Sequence, residues 1–311
     1  HDKINRVDLE NRKLYSVDRE YNFDYLILAA GNEPAYFGIP GMKEHAFTLW
    51  SLEDAKKIHD HILHMFQLAA REEDPQKRKE MLTFVVGGGG FTGVEMMGEL
   101  IEWVATLCRQ YKIPREEIRL VIIEALSALC PILDQKLSGK IENFLKKRGV
   151  EIYTNTPITQ VSPDKVSIES GDSIPTRTLI WTGGIQANEF VKHFGLTLGK
   201  RNRIVVNQYL QTIEYPNVYA IGDIMEFSEN GEVLPALVES ALQSGNCAAK
   251  NIAAEILGNE KQKFEPKLHG VMVSVGSFFA VAQIKGLPML TGIPATIMKH
   301  LVNMHYLFGI G

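Results

Sequence analysis

Residues 83–95 read Thr-Phe-Val-Val-Gly-Gly-Gly-Gly-Phe-Thr-Gly-Val-Glu, and this stretch decides the fold. A short run rich in β-branched residues leads into Gly88-x-Gly90-x-x-Gly93, and a long helical pattern follows. Strand, glycine turn and helix in this order bind a dinucleotide pyrophosphate. Gly88 permits the tight turn, Gly90 lets the backbone approach the phosphates, and Gly93 lets helix and strand pack closely. The pyrophosphate is expected at the helix N-terminus, where free N–H groups favour anions, with Gly89 in the same turn.

A second predicted strand, residues 119–124, ends in a carboxylate. Glu124 follows Gly93 by 31 positions, whereas the usual spacing is about 20. The long predicted helix from Val94 to about Tyr111 accounts for the excess. An acid at this strand end accepts hydrogen bonds from the ribose 2′-hydroxyl and repels a 2′-phosphate, which predicts NAD(H) rather than NADP(H). The alternative is that Glu124 is a solvated strand end without a ligand.

Composition limits the classes of protein to consider. With 311 residues, of which 45% are hydrophobic and 23% charged, the chain predicts a soluble globular protein of two ordinary domains. A net charge of −4 gives no electrostatic reason to expect a nucleic-acid partner. Cys108, Cys130 and Cys247 are read as buried small hydrophobes in a reducing compartment, with no dithiol among them. No metal site is predicted.

The remaining patterns alternate between strands and helices. Residues 1–31 look β-rich and already resemble the middle of a domain, so we expect an N-terminal portion to be missing. The other predicted elements are a capped helix from Ser51 to about Ala70, a helix over 134–148 closed by Gly149, strand 150–154, a covering meander (160–161, 165–168 and 178–181), strands 204–206 and 217–221, a helix over 235–257, a β-like stretch over 271–284 and a helix over 297–308.

A second glycine-acid signal follows the strand at 217–221. There Gly222-Asp223 presents a carboxylate at the carboxyl edge of a sheet, where it suits the hydroxyls of a ribityl or ribose chain. Alone, Asp223 could equally be an ordinary helix N-cap. The turn at Ala29-Ala30-Gly31 offers another close approach, as if to the same ligand.

These motifs together resemble a family. In the order 29–31, 37–41, 88–95, 181–185 and 219–223, they are similar to those of two-dinucleotide flavoproteins, and among these the chain looks most like a type II NADH dehydrogenase, a single-chain NADH:quinone oxidoreductase. The resemblance implies an α/β fold with two Rossmann-like dinucleotide-binding domains, an FAD domain interrupted by an NAD domain, plus a small C-terminal β/α segment. The implied segments are 1–80 (FAD domain, first part), 81–184 (NAD(H) domain), 185–258 (FAD domain, returning part) and 259–311 (membrane association or dimerisation).

The resemblance also assigns roles to residues. Glu95 would be the catalytic acid near flavin and nicotinamide; from the residues alone, it could instead be a carboxylate favoured by the helix dipole. The implied cofactor-binding residues are Ala30, Gly31, Gly222 and Asp223 for FAD, Gly88, Gly89, Gly90, Gly93 and Glu124 for NADH, Gly183 and Gly184 between the two, and Glu239 and Gln243 near the quinone. Gln243 fits the family pattern, whereas Glu239 stands where an amide is expected.

The predicted function is FAD-dependent transfer of a hydride from NADH to flavin and of electrons to a quinone of the respiratory chain. Two alternatives stay open: NADH-dependent reduction of a disulfide or a small redox protein, and a non-catalytic NAD(H)-binding module. For the C-terminal helix, peripheral membrane contact, packing on the core and a homodimer interface are all open. The implied location is the cytoplasmic side of the cell membrane, otherwise the cytoplasm.

Overall fold

The computed structural model describes residues 1–229 and 231–310, which form two compact units. The first unit joins His1–Ala35 to Ile185–Leu268, and the second joins Tyr36–Gly184 to residues 269–310. Residues 36–80, assigned above to the first part of the FAD domain, therefore pack within the second unit. Asn230 and Gly311, which belong to the third and fourth predicted segments, lie outside the described residues.

The elements run as follows. Residues 1–35 form β1 (Arg6–Asp8), β2 (Lys13–Tyr15), β3 (Glu20–Asn22), β4 (Leu26–Leu28) and β5 (Asn32–Pro34). Residues 36–184 form α1 (Met42–His45), β6 (Phe47–Thr48), α2 (Leu52–Ala69), α3 (Pro75–Met81), β7 (Thr83–Gly87), α4 (Phe91–Tyr111), β8 (Arg119–Ile123), α5 (Gln135–Lys146), β9 (Val150–Tyr153), β10 (Ile158–Ser162), β11 (Lys165–Ile168), β12 (Ser173–Pro175) and β13 (Thr178–Trp181). Residues 185–268 form β14 (Ile185–Ala187), β15 (Ile204–Val205), β16 (Val218–Ala220), β17 (Met225–Glu226), β18 (Ser228–Glu229), β19 (Glu232–Val233) and α6 (Val238–Leu257). Residues 269–310 form β20 (Gly270–Ser274), β21 (Ala280–Ile284), β22 (Leu290–Thr291) and α7 (Ile293–Ile310).

A five-stranded parallel sheet organises the second unit, with the strand order β6-β13-β7-β8-β9. Every residue of β7 is buried, because side chains alternate between two covered faces. Phe84 and Val86 pack in one core with α2 and α4, whereas Val85 packs in another with the meander β10–β12. Since the strands are parallel and in register, their carboxyl ends meet at one edge, where the glycine turn lies.

One strand lies elsewhere than predicted. Residues 178–181 were expected in the covering meander, but β13 pairs in parallel with β7 inside the main sheet, and β12 completes the meander instead. The reason is that a short apolar run reads alike in a covering strand and in a central one. All four residues of β13 are buried, as a central strand requires.

The predicted helices are present, with shifted starts. Helix α4 begins three residues before Val94 because Gly90 is its N-cap, and α6 begins three residues after Pro235. Helix α7 begins four residues before Ile297. The capping box of Ser51 is confirmed: its hydroxyl accepts from the N–H of Asp54, whose carboxylate accepts from the N–H of Ser51.

The first unit contains small sheets around its own core. β1, β2 and β3 form an antiparallel meander, while β4 pairs in parallel with β16, Leu28 lying opposite Ala220. β4 leads into the Ala29-Ala30-Gly31 turn, and it is only partly buried, because Ile27 is 40% exposed. The core is built from residues such as Val218 and Tyr219 of β16.

The C-terminal segment adds an antiparallel sheet, β20-β21-β22, to the second unit. Helix α7 packs on it through Ala295, which lies against Ala280 and Ala282. Across the described part of the chain, no helix combines the length and apolar character needed to cross a bilayer. The cysteines are unpaired; Cys108 and Cys130 are buried as expected, but Cys247 is only half-buried.

Candidate nucleotide-binding and redox site

The glycine turn lies directly between β7 and α4. Gly88 has φ +110°, a conformation that L side chains rarely adopt, and its N–H donates to the carbonyl oxygen of Ile123 at 2.8 Å. Gly90 is the N-cap of α4, and within the described residues no side chain caps it. A Cβ at Gly90 would meet no heavy atom within 4 Å, so the turn is open where a phosphate would approach.

Two close contacts make glycine necessary elsewhere in the motif. A Cβ at Gly93 would lie 1.9 Å from the carbonyl oxygen of Gly88, and one at Gly88 would lie 2.7 Å from the Cα of Gly183. The turn at Gly183-Gly184 after β13 therefore lies against the glycine turn after β7. The structure brings these predicted residues together at one sheet edge.

Glu124 is held at the same edge by backbone donors. Its side chain is buried, with 8% exposure. One carboxylate oxygen, Oε2, accepts from the N–H of Gly89 at 2.5 Å, and the other, Oε1, accepts from the N–H of Leu126 at 2.7 Å. The reading of Glu124 as a solvated strand end is therefore wrong. Its contact with a ribose stays a prediction, and its observed role is to hold the glycine turn.

Glu95 lies in the second turn of α4 and contacts two residues of the C-terminal segment. Its Oε1 accepts from the Ser274 hydroxyl at 3.1 Å and from the Ser274 N–H at 3.3 Å, and it forms an ion pair with the Lys299 ammonium group. Lys299 also donates to the Ser274 Oγ at 2.7 Å. Negative charge on Glu95 is thus compensated by a cation rather than by the helix dipole alone. Sequence reasoning missed both partners.

The same face of α4 holds the turn between β20 and β21. A Cβ at Gly98 would lie 2.2 Å from the backbone nitrogen of Gly276, so the two backbones touch. One turn further on, the Glu102 carboxylate accepts from the Ser277 N–H at 2.7 Å and from its hydroxyl at 2.6 Å. Glu95, Gly98 and Glu102 follow helical spacing, so a single face of α4 carries the candidate catalytic acid and the docking contacts.

In the first unit, the two predicted FAD turns lie side by side. The N–H of Ile221 donates to the carbonyl oxygen of Leu28 at 3.1 Å, and Asn32 donates from its side-chain amide to Asp223 Oδ2 at 2.5 Å. A Cβ at Gly31 would meet nothing within 4 Å. An open turn beside a carboxylate at the carboxyl edge of parallel strands fits the polyhydroxy chain of a flavin dinucleotide.

For the other residues of this unit that were predicted to bind FAD, the structure shows contacts within the protein or exposure to solvent. Asp223 is inside a short 3-10 turn whose N-cap is Ile221, so the N-cap reading of Asp223 is wrong. The N–H of Gly222 donates to the Ser244 hydroxyl at 3.0 Å, and Ala30 is exposed. These positions leave the FAD contacts of Ala30, Gly222 and Asp223 as predictions.

Glu239 and Gln243 lie on the first turns of α6. The Gln243 side-chain amide donates to the carbonyl oxygen of Lys267 and accepts from its N–H, each at 2.8 Å. Its hydrogen-bonding groups are therefore used to hold residues 259–268 on α6, and any contact with a quinone has to compete with that pairing. Glu239 is half-buried in the first helical turn, where the dipole favours a carboxylate.

Comparison with known proteins gives consistent matches. The family model described as pyridine nucleotide-disulphide oxidoreductase matches residues 2–245. A curated relative, the type II NADH:quinone oxidoreductase of Staphylococcus aureus, is 31% identical over 316 residues, covering 99% of this chain and 77% of the relative.

Two solved structures share the fold. NDH2 from Plasmodium falciparum in complex with NADH has a TM-score of 0.88 at 19% identity, covering 98% of this chain and 80% of that one. The sulfide:quinone oxidoreductase of Aquifex aeolicus has a TM-score of 0.76 at 16% identity, covering 99% and 74%. The predicted fold class, two Rossmann-like dinucleotide-binding domains of the FAD and NAD type, is confirmed. The chain belongs to the pyridine nucleotide-disulphide oxidoreductase family and, within it, to the type II NADH:quinone oxidoreductases.

Proposed function

We propose that the protein is an FAD-dependent NADH dehydrogenase that oxidises NADH and reduces a quinone. The single observation that carries this proposal is the edge of the parallel sheet, where an open glycine turn, a buried acid and the Gly183-Gly184 turn meet. The curated relatives are named for the same reaction. We assign NADH to residues 81–184 of the second unit, and FAD to residues 1–35 and 185–258 of the first unit.

The residues of the second unit bind and orient NADH. Backbone N–H groups at the start of α4 are directed at the pyrophosphate, because the Gly90 N-cap brings no side chain of its own. The buried Glu124 carboxylate disfavours a 2′-phosphate beside it, which selects NADH over NADPH. The Gly183-Gly184 turn has no side chains of its own, and the Trp181 ring lies against Gly183, 2.3 Å from where a Cβ would be. We assign the nicotinamide end of NADH to this turn.

For FAD, the residues proposed to bind are Ala30, Gly31, Gly222 and Asp223. Asp223 presents a carboxylate to the hydroxyls of the cofactor, and Asn32 fixes the orientation of that carboxylate. A bound flavin would supply the hydride acceptor and the two-electron carrier, while these residues would hold and orient it. Glu239 and Gln243 are proposed to lie near the acceptor.

Reduction of a quinone to a quinol needs one proton in addition to the hydride equivalent, and the structure offers groups that can hold it. The Lys299 ammonium group is hydrogen bonded to Ser274 Oγ and paired with Glu95. A proton can be held on Lys299 Nζ and shared with Glu95 Oε1, since both atoms contact Ser274. We therefore assign Glu95 the catalytic role and Lys299 a role acting through it.

The exposed face of α7 supports contact with a membrane surface. Five large apolar side chains of α7 are at least half exposed and so do not pack in the core of this chain: Ile293, Ile297, Leu301, Met304 and Phe308. A quinone is dissolved in the lipid bilayer, and an apolar helix lying on that surface would give access to it. We place the protein on the cytoplasmic side of the membrane, with α7 in contact with lipid. Co-sedimentation with lipid vesicles tests this. If the protein instead forms a salt-stable homodimer and does not bind vesicles, the apolar face of α7 contacts a second copy of the chain rather than lipid.

A spectroscopic titration tests the enzyme assignment. The purified protein, loaded with FAD, should lose its flavin absorbance on addition of NADH under argon, and a soluble quinone should restore it. A disulfide and a ferredoxin, tested as acceptors, should restore it at least ten times more slowly. Flavin that stays oxidised in excess NADH would rule out the proposed function, and faster reoxidation by the disulfide would change the acceptor.

A further inference from the structure

The peptide group between Gly88 and Gly89 is held at both ends by side chains. Its carbonyl oxygen, on Gly88, accepts from the Thr182 hydroxyl at 3.0 Å. Its N–H, on Gly89, donates to the Glu124 carboxylate at 2.5 Å. Because a trans peptide is planar and its C=O and N–H point in opposite directions, fixing both ends fixes the rotation of the plane. Gly88 has φ +110° and no side chain, so no Cβ of its own restrains that rotation.

Thr182 also holds the preceding carbonyl. The oxygen of Gly87 accepts from the Thr182 N–H at 2.7 Å, and it also lies 3.1 Å from the Thr182 hydroxyl, whose one proton it shares with the Gly88 oxygen. The following carbonyl, on Gly89, accepts from the N–H of Cys130 at 2.8 Å. Three successive carbonyl oxygens of the turn are thus bonded to protein donors. A carbonyl oxygen turned toward a pyrophosphate would repel it, so these bonds keep the partial negative charge away from the anion site.

We propose that Thr182 is a positioning residue for NADH, acting with Glu124 to orient the Gly88–Gly89 peptide so that the next N–H groups face the pyrophosphate. This inference rests on the proposed function, because it concerns the same dinucleotide site. Thr182 itself is not assigned a contact with NADH. Its hydroxyl acts through the backbone of the turn.

The isosteric substitution Thr182→Val removes the hydroxyl and keeps the shape, whereas Thr182→Ser keeps the hydroxyl. Loss of a hydrogen bond that orients a peptide group is expected to raise the dissociation constant for NADH roughly 5- to 20-fold in T182V. T182S should recover most of that loss. In steady-state assays, KM for NADH should rise by a larger factor than kcat falls. The double variant T182V/E124Q should raise the dissociation constant for NADH by less than the product of the two single increases, because both residues hold the same peptide group.

Thr83→Val is the matched control. Thr83 lies at the other end of β7, and its hydroxyl donates to the carbonyl oxygen of Lys79 at 2.8 Å. T83V loses a similar buried bond and should lower the melting temperature without changing the dissociation constant for NADH. If T83V and T182V weaken NADH binding equally, or if T182V binds like the wild type, the inference is wrong.

The two proposals can fail separately. Wild-type protein that binds no NADH in the titration contradicts the proposed function. Wild-type protein that binds NADH and is matched by T182V contradicts only the role of Thr182. Should T182V not fold, Thr182→Ala removes the same hydroxyl with less side chain to accommodate, and T182S against T182A gives the same comparison.

Discussion

Glu95 and Lys299, 204 positions apart in the chain, form an ion pair in the second unit, and Ser274 contacts both. Neither side chain is fully exposed, with 37% exposure for Glu95 and 21% for Lys299. The helix that begins at the dinucleotide turn is thus connected to the helix with the exposed apolar face. Partly exposed ion pairs contribute little to the free energy of unfolding. The main effect of this pair is therefore that it fixes the position of the Glu95 carboxylate and balances its charge.

We predict that Glu95→Gln and Lys299→Met both lower kcat with a soluble quinone, E95Q by roughly 100-fold, the size typical of a group that handles a proton. Because Lys299 acts through Glu95, the double variant should be no slower than E95Q alone. Stopped-flow measurement of the two half-reactions locates the loss. Multiplicative effects of the two substitutions would show that they act independently.

For the buried acid, we predict that Glu124→Ala raises KM for NADH about 10- to 100-fold, since hydrogen bonds to a charged group are worth about 1.5–3 kcal/mol each. KM for NADPH should change less. The substitution weakens the glycine turn for both nucleotides, but for NADPH it also removes the negative charge that repels the 2′-phosphate. The ratio of kcat/KM for the two nucleotides measures this. An unchanged ratio would show that Glu124 does not contact the ribose and only accepts from the N–H groups of Gly89 and Leu126.

The glycines of the turn should respond differently to alanine. Gly93→Ala places a Cβ against the Gly88 carbonyl, so it should lower stability by about 1–3 kcal/mol and weaken NADH binding. Gly90→Ala meets no protein atom and has an ordinary φ of −69°, so its melting temperature should stay near that of the wild type. NADH binding should still fall, because the methyl group occupies the space left for the phosphates. Tight NADH binding by G90A would place the pyrophosphate elsewhere.

Acid should destabilise the second unit partly through His61. Its Nε2 lies 3.1 Å from the carbonyl oxygen of Arg177 and 2.9 Å from the Thr178 hydroxyl, and burial lowers the pKa of His61 below its usual 6.5. The unfolded chain therefore takes up the proton first, so this stabilisation is complete above about pH 6.5 and is lost as the pH falls. His61→Gln, which can still donate to Arg177, should flatten the decline in melting temperature between pH 7 and 5.5. An equally steep decline in H61Q would rule out His61 as a source of it.

The sequence predicted the nucleotide turn well, because its geometry depends on residues close together in the chain. Gly88, Gly90 and Gly93 have few conformational alternatives once a buried strand precedes them and a helix follows. Glu124 was also found, since it ends the neighbouring parallel strand. The Ser51 capping box is confirmed for the same local reason.

Contacts between distant segments could not be predicted. Thr182 and Ser274 contact their partners through hydroxyl groups, and no periodicity distinguishes them from other threonines and serines. Lys299 left a signal, as the single lysine of an apolar helix, yet its partner Glu95 could be identified only from the folded chain. The sequence did not predict that β13 lies in the main sheet, because a strand of four residues carries too little pattern to distinguish a central strand from a covering one.

Helix α4 meets the dinucleotide turn at its start and the β20–β21 turn along its side, where the backbones of Gly98 and Gly276 touch. Because α4 is a continuous helix, a displacement at its contact with the β20–β21 turn also moves its start at the dinucleotide turn. Inhibitors or substitutions that displace the β20–β21 turn from Gly98 should therefore change KM for the electron donor as well as KM for the acceptor. For compounds bound there, we expect mixed rather than competitive inhibition.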